Sequence, residues 1–235
     1  MKLAIMQPYL FPYLGYYQLM SSVDKFIIYD DVSYIKNGWI NRNRILVNGN
    51  AHYFTVPVIG GSCNNKINTV KIDKTKKKAI NKIIVTIEQA YKKSIFFDEV
   101  FPVIYGVLSK EYDFISDLAT ASLLSIKNQL DIGAEVVLTS TNYDNNNLTA
   151  QDRVIDINVK EHASIYINSE GGRLLYDKQT FKLNGVNLRF IHPKILPYKQ
   201  LCNGEFVPSL SIIDVAMNNG WDSTKQLLNS FELKD

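Results

Sequence analysis

The fold of this chain is decided by Lys2-Leu-Ala-Ile-Met6, by Gln7-Pro-Tyr-Leu-Phe-Pro-Tyr-Leu-Gly-Tyr-Tyr17 and by Lys25-Phe-Ile-Ile-Tyr29. The two short apolar runs predict buried β-strands over residues 2–6 and 25–29, and the residues between Gly15 and Val23 suffice for a short helix. A crossover this short joins parallel strands only with help from the loop. The chain is therefore expected to begin with a strand, a loop, a helix and a second strand.

The second half of the chain alternates strand and helix signals. Strands are predicted over residues 135–140, 164–168 and 186–191, and helices over residues 149–160 and 177–183 and from Pro208 onward. Such alternation is typical of a mostly parallel sheet with flanking helices. The predicted fold class is α/β, with a Rossmann-like, mostly parallel sheet.

The region 40–130 departs from this alternation. Strands over residues 40–47 and 52–58, joined at Asn48-Gly-Asn50, predict a β-hairpin. Residues 67–72 predict a further short strand, and residues 74–130 are helical apart from an aromatic-rich break at residues 96–102. We expect a single α/β domain over residues 1–235, in which residues 40–130 form a hairpin and helical subdomain.

Composition excludes several classes of protein. The net charge of +3 is spread over scattered lysines and arginines, which argues against a nucleic acid partner. No apolar run approaches the roughly 20 residues of a membrane span, and the two cysteines and three histidines form no metal-ligand pattern. We expect a cytoplasmic protein with no transmembrane segment and no bound metal. A homodimer is compatible with the sequence, although no heptad pattern requires one.

An arginine ladder follows the predicted second strand, in Lys36-Asn-Gly-Trp-Ile-Asn-Arg-Asn-Arg44. On a strand, Arg42 and Arg44 project to one face about 6.6 Å apart. Asn41 and Asn43 then share the other face with Trp39. Two guanidinium groups at this spacing can hold a diphosphate through forked hydrogen bonds. The alternative is a solvated strand face whose arginines pair with the preceding acidic residues.

Those acidic residues, Asp30 and Asp31, end the second predicted strand, where α/β proteins place their ligands. Because successive strand side chains face opposite ways, only one carboxylate can point into a given cleft, and the other can serve as an N-cap or salt-bridge partner. His192 closes a later strand and is a candidate general acid or base, with a structural role as the alternative.

The loop before the first helix is held rigid by two prolines, while Gly15 permits close approach to a helix N-terminus, a favourable place for an anion. Tyr13-Leu-Gly-Tyr16 takes the place of the His-x-Gly-His signature of nucleotidylyl-transferring proteins. Both histidines are tyrosines here, which argues against that activity. The pair Gly171 and Gly172 lacks the spacing of a phosphate-binding loop, so it indicates either a turn or a ligand contact.

Taken together, these segments resemble the WbqC-like protein family. The resemblance runs through nearly the whole chain, in residues 7–16, 30–31, 39–44, 86–91, 169–172 and 206–214. The family is typically encoded among genes for bacterial O-antigen, capsule or related surface glycans. The resemblance therefore implies a cytoplasmic role in making or decorating an activated sugar.

The predicted function is acyl or aminoacyl transfer to the amine of a nucleotide-linked amino sugar, with a CoA-type or other activated acid as a possible donor. The alternatives are nucleotidyl or phosphoryl transfer at residues 2–23, and non-catalytic binding or assembly within a glycan pathway. The predicted catalytic residues are Asp30, Asp31 and His192. The predicted substrate-binding residues are Gln7, Tyr9, Tyr13, Gly15, Tyr16, Lys36, Trp39, Asn41, Arg42, Asn43, Arg44, Gly171 and Gly172.

Overall fold

The computed structural model of the protein describes residues 1–202 and 204–234, apart from the side chain of Lys77. The strands are β1 (Lys2–Met6), β2 (Lys25–Ile28), β3 (Arg42–Val47), β4 (Asn50–Thr55), β5 (Val58–Ile59), β6 (Lys71–Ile72), β7 (Glu135–Val137), β8 (Ile165–Ser169), β9 (Asn187–Pro193) and β10 (Phe231–Lys234). The helices are α1 (Leu14–Ser21), α2 (Lys77–Tyr91), α3 (Phe97–Leu108), α4 (Ile115–Gln129), α5 (Ala150–Lys160), α6 (Lys178–Leu183) and α7 (Ile212–Leu227).

The central sheet has six strands in the order β10-β9-β8-β1-β2-β7. Every neighbouring pair is parallel except β9 and β10. The predicted α/β class and mostly parallel sheet are therefore confirmed. The crossover from β1 to β2 is parallel although α1 has only eight residues. Because β1 is flanked by β2 on one side and β8 on the other, the carboxyl ends of these strands border the kind of crevice in which α/β proteins bind ligands.

Strand β1 is buried on both faces of the sheet, as expected for a central parallel strand. Ala4 belongs to a large buried cluster that also contains Ile45 of the hairpin and Ile87 of α2. Leu3 and Ile5 belong to the cluster on the opposite face. The hairpin and the helical region thus pack on the same face of the sheet as Ala4.

The predicted hairpin is present as β3 and β4, paired antiparallel from Arg42 and Thr55 to Val47 and Asn50. Its turn places Asn48 at a φ of 50° and Gly49 at a φ of 78°. Positive φ at both central residues is the geometry that twists two-residue hairpins correctly.

Three local predictions are wrong. The strand expected at residues 67–72 is a 3-10 turn (Ile67–Thr69) followed by the short β6. The strand expected at 135–140 ends at Val137, because the backbone N–H of Ser140 turns to donate to the Asp30 carboxylate. The helical region is expected to be interrupted over residues 96–102, but α3 already begins at Phe97 and includes Pro102. Burial of the apolar face of α3 outweighs the hydrogen bond that this proline removes.

Within the described residues, no helix combines the length and the apolar character needed to cross a membrane.

Helix α7 is interrupted at Gly220, and this interruption generates a stability prediction. Gly220 has a φ of 70°, and an added Cβ would lie 2.7 Å from the Phe96 ring. Gly220→Ala is expected to lower the free energy of unfolding by about 1–3 kcal/mol, because φ 70° with ψ 173° is a backbone conformation that essentially only glycine adopts. Urea unfolding followed by circular dichroism measures the change.

The matched control is Gly106→Ala, because Gly106 lies inside α3 and an added Cβ there would meet nothing within 4 Å. This variant is expected to gain about 0.5–1 kcal/mol from higher helix propensity. Equal effects of the two substitutions would contradict the assignment of strain to Gly220.

Candidate functional site

The loop between β1 and α1 is held from three sides. Phe11 has a φ of 41°, in the left-handed region. Its N–H donates to the Ser122 hydroxyl of α4 at 3.0 Å. Its carbonyl accepts from the Asn43 side-chain amide of β3 at 2.8 Å and from the Ser211 hydroxyl before α7 at 2.7 Å. The Asn43 amide also donates to the carbonyl of Leu10 at 3.0 Å. These hydrogen bonds fix the positions of the loop residues that precede and follow Phe11.

A cavity of about 240 Å³ opens beside this loop. Its walls come from the loop after β1, the turn before β3, β3 itself and the segment before α7. The residues that line it are Tyr9, Pro12, Tyr13, Trp39, Asn43, Arg44 and Ser209. The structure thus brings together three segments that are far apart in the chain. We refer to this cavity as the loop cavity.

Gly15 is needed for the shape of the wall formed by Tyr13. A Cβ on Gly15 would lie 2.4 Å from a ring carbon of Tyr13. The backbone of Tyr13 in turn forms a bridge with Ser211, which lies immediately before α7. Gly15 therefore acts on the cavity through the position of the Tyr13 ring.

Arg44 is the cationic residue of the cavity wall. Its Nε is buried and has no hydrogen-bond partner, while its Nη2 donates to the Ser209 carbonyl at the long distance of 3.4 Å. The guanidinium carbon lies 5.6 Å from the ring centroid of Trp39 and 6.0 Å from that of Tyr53. A buried donor without a partner is costly, and a charged one more so. The Arg44 residue lines the cavity, so its outer N–H groups are the donors that an anion in the cavity can reach.

The tyrosines of the cavity stay neutral near pH 7. Burial raises the pKa of Tyr9, with a smaller contribution from Tyr13, and burial also raises the pKa of Tyr13. Both phenols can therefore donate hydrogen bonds to a ligand, but neither is suited to act as a base.

The two arginines of the ladder differ in their partners. Arg42 Nε donates to the carbonyl of Gly38 at 3.1 Å, and its Nη2 donates to the carbonyl of Asn37. Arg42 therefore closes the turn in which the exposed Lys36 lies. The prediction that Trp39 shares a face with Asn41 and Asn43 is wrong. Strand β3 begins only at Arg42, so strand alternation does not reach Trp39.

Two other predicted binding residues have internal partners. Asn41 accepts from the Tyr34 hydroxyl and donates to the carbonyl of Val56, both at 2.8 Å. Tyr16 is buried and donates to the carbonyl of Gln7 at 2.8 Å. Neither side chain lines the loop cavity.

The acidic pair lies in a different cluster at the carboxyl ends of β2 and β7. The Asp31 carboxylate is 2.5 Å from Arg153 Nη2, and both side chains are almost completely buried. Asp30 accepts from the Thr139 hydroxyl at 2.9 Å and from the Ser140 N–H at 3.1 Å. Burial raises the pKa of Asp30, although these hydrogen bonds oppose the shift. The alternative in which the acids pair with Arg42 or Arg44 is wrong, because Arg153 of α5 reaches Asp31 instead.

His192 lies at the end of β9 and hydrogen-bonds Glu170, which follows β8. This hydrogen bond is the main reason why the pKa of Glu170 is lowered. Gly172 packs against Asn168, whose side chain would lie 3.1 Å from an added Cβ, whereas Gly171 has no such neighbour. None of these residues lines the loop cavity.

Sequence reasoning missed a buried network centred on Asp214. Its carboxylate accepts from the hydroxyls of Tyr91 and Tyr198 at 2.6 Å and from the Gln200 amide at 3.0 Å. The Tyr91 hydroxyl also accepts from the Leu46 N–H at 3.0 Å. The network ties α2, β3 and the segment before α7 to one buried carboxylate, and so supports the wall that contains Ser209.

The missed residues did have a signal in the sequence. Tyr91 ends the segment 86–91, and Asp214 ends the segment 206–214, which also contains Ser209. Both segments carried the family resemblance, but spacing alone did not indicate that they meet.

Within the described part of the chain, no group of three or more histidine, cysteine, aspartate or glutamate residues is arranged to hold a metal ion.

The fold and the cavity define an α/β protein with an aromatic and arginine-lined site beside its first strand. The chain belongs to the WbqC-like protein family, whose model matches residues 7–226. It is similar to "Uncharacterized protein Rv1507c" from Mycobacterium tuberculosis, with 30% identity over 230 residues, which cover 96% of this chain and 97% of that protein. No solved structure matches the chain.

The buried ion pair generates a stability prediction. Arg153→Met leaves the buried Asp31 carboxylate without its cation and is expected to cost about 3–5 kcal/mol in the free energy of unfolding. In the double variant Asp31→Asn/Arg153→Met no such charge remains, so the cost is expected to be smaller than the sum of the two single costs. A double-mutant cycle by urea unfolding tests this, and additive costs would contradict the coupling.

The Asp214 network generates a pH prediction. Burial raises the pKa of Asp214, so the folded state holds this proton at pH values where the unfolded chain has released it. Stability from this group is present at low pH and is lost as pH rises from about 3.8, the ordinary value, through the raised folded value. The stability advantage of the wild type over Asp214→Asn should therefore shrink as pH rises in that window. Urea unfolding at several pH values measures it, and an advantage that grows with pH would refute the direction.

Proposed function

We propose that this protein is an enzyme of bacterial surface-polysaccharide biosynthesis. It binds a nucleotide-linked amino sugar at the loop cavity and transfers an acyl or aminoacyl group to the sugar amine. The pathway follows from the family resemblance. The observation that carries the binding site is the Arg44 guanidinium, whose Nη2 makes a long 3.4 Å hydrogen bond to the Ser209 carbonyl, in a wall built from three of the segments that carry the resemblance.

The cavity suits a phosphate-containing ligand. The Arg44 guanidinium is always charged and presents donors in a planar fork that matches phosphate oxygens. Tyr9 and Tyr13 line the same wall, and we propose that their neutral hydroxyls donate further hydrogen bonds to the ligand. Asn43 lines the cavity, but its amide is committed to the carbonyls of Leu10 and Phe11, so we assign it the role of positioning the loop.

The transfer step requires an activated acyl donor, for which we propose a thioester. The amine nitrogen, once deprotonated, attacks the thioester carbonyl carbon. A carbon–nitrogen bond forms, the carbon–sulfur bond breaks, and the sulfur leaves as a thiolate that takes up a proton. For a sugar that begins as an ammonium ion, one proton is released to solvent overall.

The acidic pair receives a structural role in this proposal. Asp31 is neutralised by Arg153 and Asp30 is engaged by Thr139 and Ser140. The Asp30 carboxylate joins the ends of β2 and β7, and the Asp31 carboxylate joins the end of β2 to α5. Arg44 and the two tyrosines are the residues that we assign to the ligand.

Binding without turnover is the second candidate function. The residues that line the loop cavity include no carboxylate, histidine or cysteine among those the structure describes. Carboxylates and histidines are the side chains that most often act as general bases, so Ser209 has no such base beside it among the described residues of the cavity wall. A binding protein of a glycan pathway would use the same cavity and the same arginine.

Arg44→Ala tests the binding site. It is expected to weaken binding of a nucleotide-linked amino sugar by about 10- to 100-fold, because hydrogen bonds to charged groups contribute about 1.5–3 kcal/mol. Isothermal titration calorimetry measures the dissociation constant. The matched control is Lys93→Ala, which removes an exposed cation just after α2 and outside the cavity wall, and this variant is expected to bind like the wild type.

Turnover is measured in parallel by mass spectrometry of the sugar nucleotide after incubation with thioester donors. A product heavier by the acyl group, formed more slowly by Arg44→Ala, supports the transferase. Binding without product across the donors favours the second candidate. No binding of any nucleotide-linked amino sugar by the wild type would overturn both.

A further inference from the structure

We propose that the nucleobase of the ligand binds outside the loop cavity, on the exposed face of the β3–β4 hairpin. This inference rests on the proposed function, because it assumes that a nucleotide-linked sugar is the ligand. The face consists of Trp39, Arg42, Arg44 and Tyr53, and we call it the aromatic platform.

The size of the loop cavity supports a ligand that extends beyond it. Sites that enclose a whole drug-sized ligand occupy roughly 300–1,000 Å³. The loop cavity measures about 240 Å³, so it encloses only part of a nucleotide-linked sugar. The rest of the ligand must lie on the adjoining surface.

The aromatic platform adjoins the cavity through shared residues. Trp39 and Arg44 line the cavity, and Tyr53 is the cross-strand partner of Arg44 in the hairpin. The rings of Trp39 and Tyr53 are stacked, with centroids 6.1 Å apart and an interplanar angle of 20°. Their exposed fractions are 36% and 48%. A ligand can therefore pass from the cavity to the platform past Arg44.

The chemistry of the platform fits a nucleobase. Arg42 lies 4.9 Å from the ring centroid of Tyr53, so guanidinium and aromatic planes are already assembled on this face. Bases of any sequence stack on aromatic side chains and on arginine, because each base has a π-face. The internal partners of Arg42 fix its guanidinium for stacking.

The order of groups along the ligand follows from these positions. Arg44 lies in both the cavity wall and the platform, so it contacts the diphosphate that joins the two ends of the ligand. The sugar occupies the cavity, where enclosure keeps water from the reacting amine. The nucleobase, which does not react, stacks in the open.

Two ligands and one exposed tyrosine test the placement. The ligands are a nucleoside-diphosphate amino sugar and the 1-phosphate of the same sugar, which lacks the base together with its ribose and one phosphate. Tyr53→Ala is expected to weaken the first roughly tenfold and to leave the second unchanged, since one stacked base is lost. Arg44→Ala is expected to weaken both. Calorimetry measures the dissociation constant of each ligand for each of the two variants, and these four values are compared with those of the wild type.

The control is Tyr105→Ala, which removes another exposed tyrosine, on α3 and outside the cavity wall, and is expected to change neither affinity. Tyr53→Phe keeps the ring and is expected to bind like the wild type, which separates stacking from any folding defect of Tyr53→Ala.

The outcomes distinguish this inference from the proposed function. If Tyr53→Ala binds both ligands like the wild type, or weakens both equally while Tyr53→Phe does not, the platform is not the base site, although the ligand class survives. If the wild type binds the nucleoside-diphosphate amino sugar but not the sugar 1-phosphate, and Tyr53→Ala changes neither result, the base occupies the cavity and the inference is overturned. If the wild type binds neither ligand, the proposed function itself fails.

Discussion

The site depends on one constraint: the backbone N–H and C=O groups of Leu10 and Phe11 lie in a buried loop and must find hydrogen-bond partners there. Buried backbone groups must find partners, and no regular element supplies them here. The side chains of Asn43, Ser122 and Ser211 supply them instead, from β3, α4 and the segment before α7. Because several contacts determine the positive φ of Phe11, the strain is tolerated, and the loop holds the two tyrosines of the cavity wall in place.

A second level of support lies behind this loop. Asp214 is fully buried and accepts three hydrogen bonds that join α2 and the segment before α7. A buried acceptor is stable only when it is satisfied, so the network specifies one arrangement of these elements. The cavity wall is therefore supported by the hydrogen-bond network of Asp214, which is itself buried.

Charge in this molecule is distributed unevenly between satisfied and unsatisfied groups. Arg42 is held by turn carbonyls, and Asp31 is held by Arg153. Arg44 lies two residues from Arg42 on the same strand, yet its Nε has no partner. The difference between the two arginines comes from their surroundings, because carbonyls of the turn before β3 accept hydrogen bonds from Arg42, whereas Arg44 lines the cavity. An anionic ligand is the complement that this asymmetry favours.

The sequence by itself determined the fold class, the parallel central strands and the hairpin. These features depend on local signals, because apolar runs predict buried strands and Asn48-Gly49 favours the positive φ angles of a two-residue hairpin turn. It also indicated the segments that build the site, including Trp39 and Arg44. Only the tertiary structure decided which residues meet. Arg153, 122 residues from Asp31 in the chain, forms the ion pair with that carboxylate. Trp39 packs against Arg44, and Ser209 completes the lining of the cavity. The physical reason is that a hydrogen bond or ion pair depends on distance in space, and periodicity along the chain carries no information about partners from remote elements.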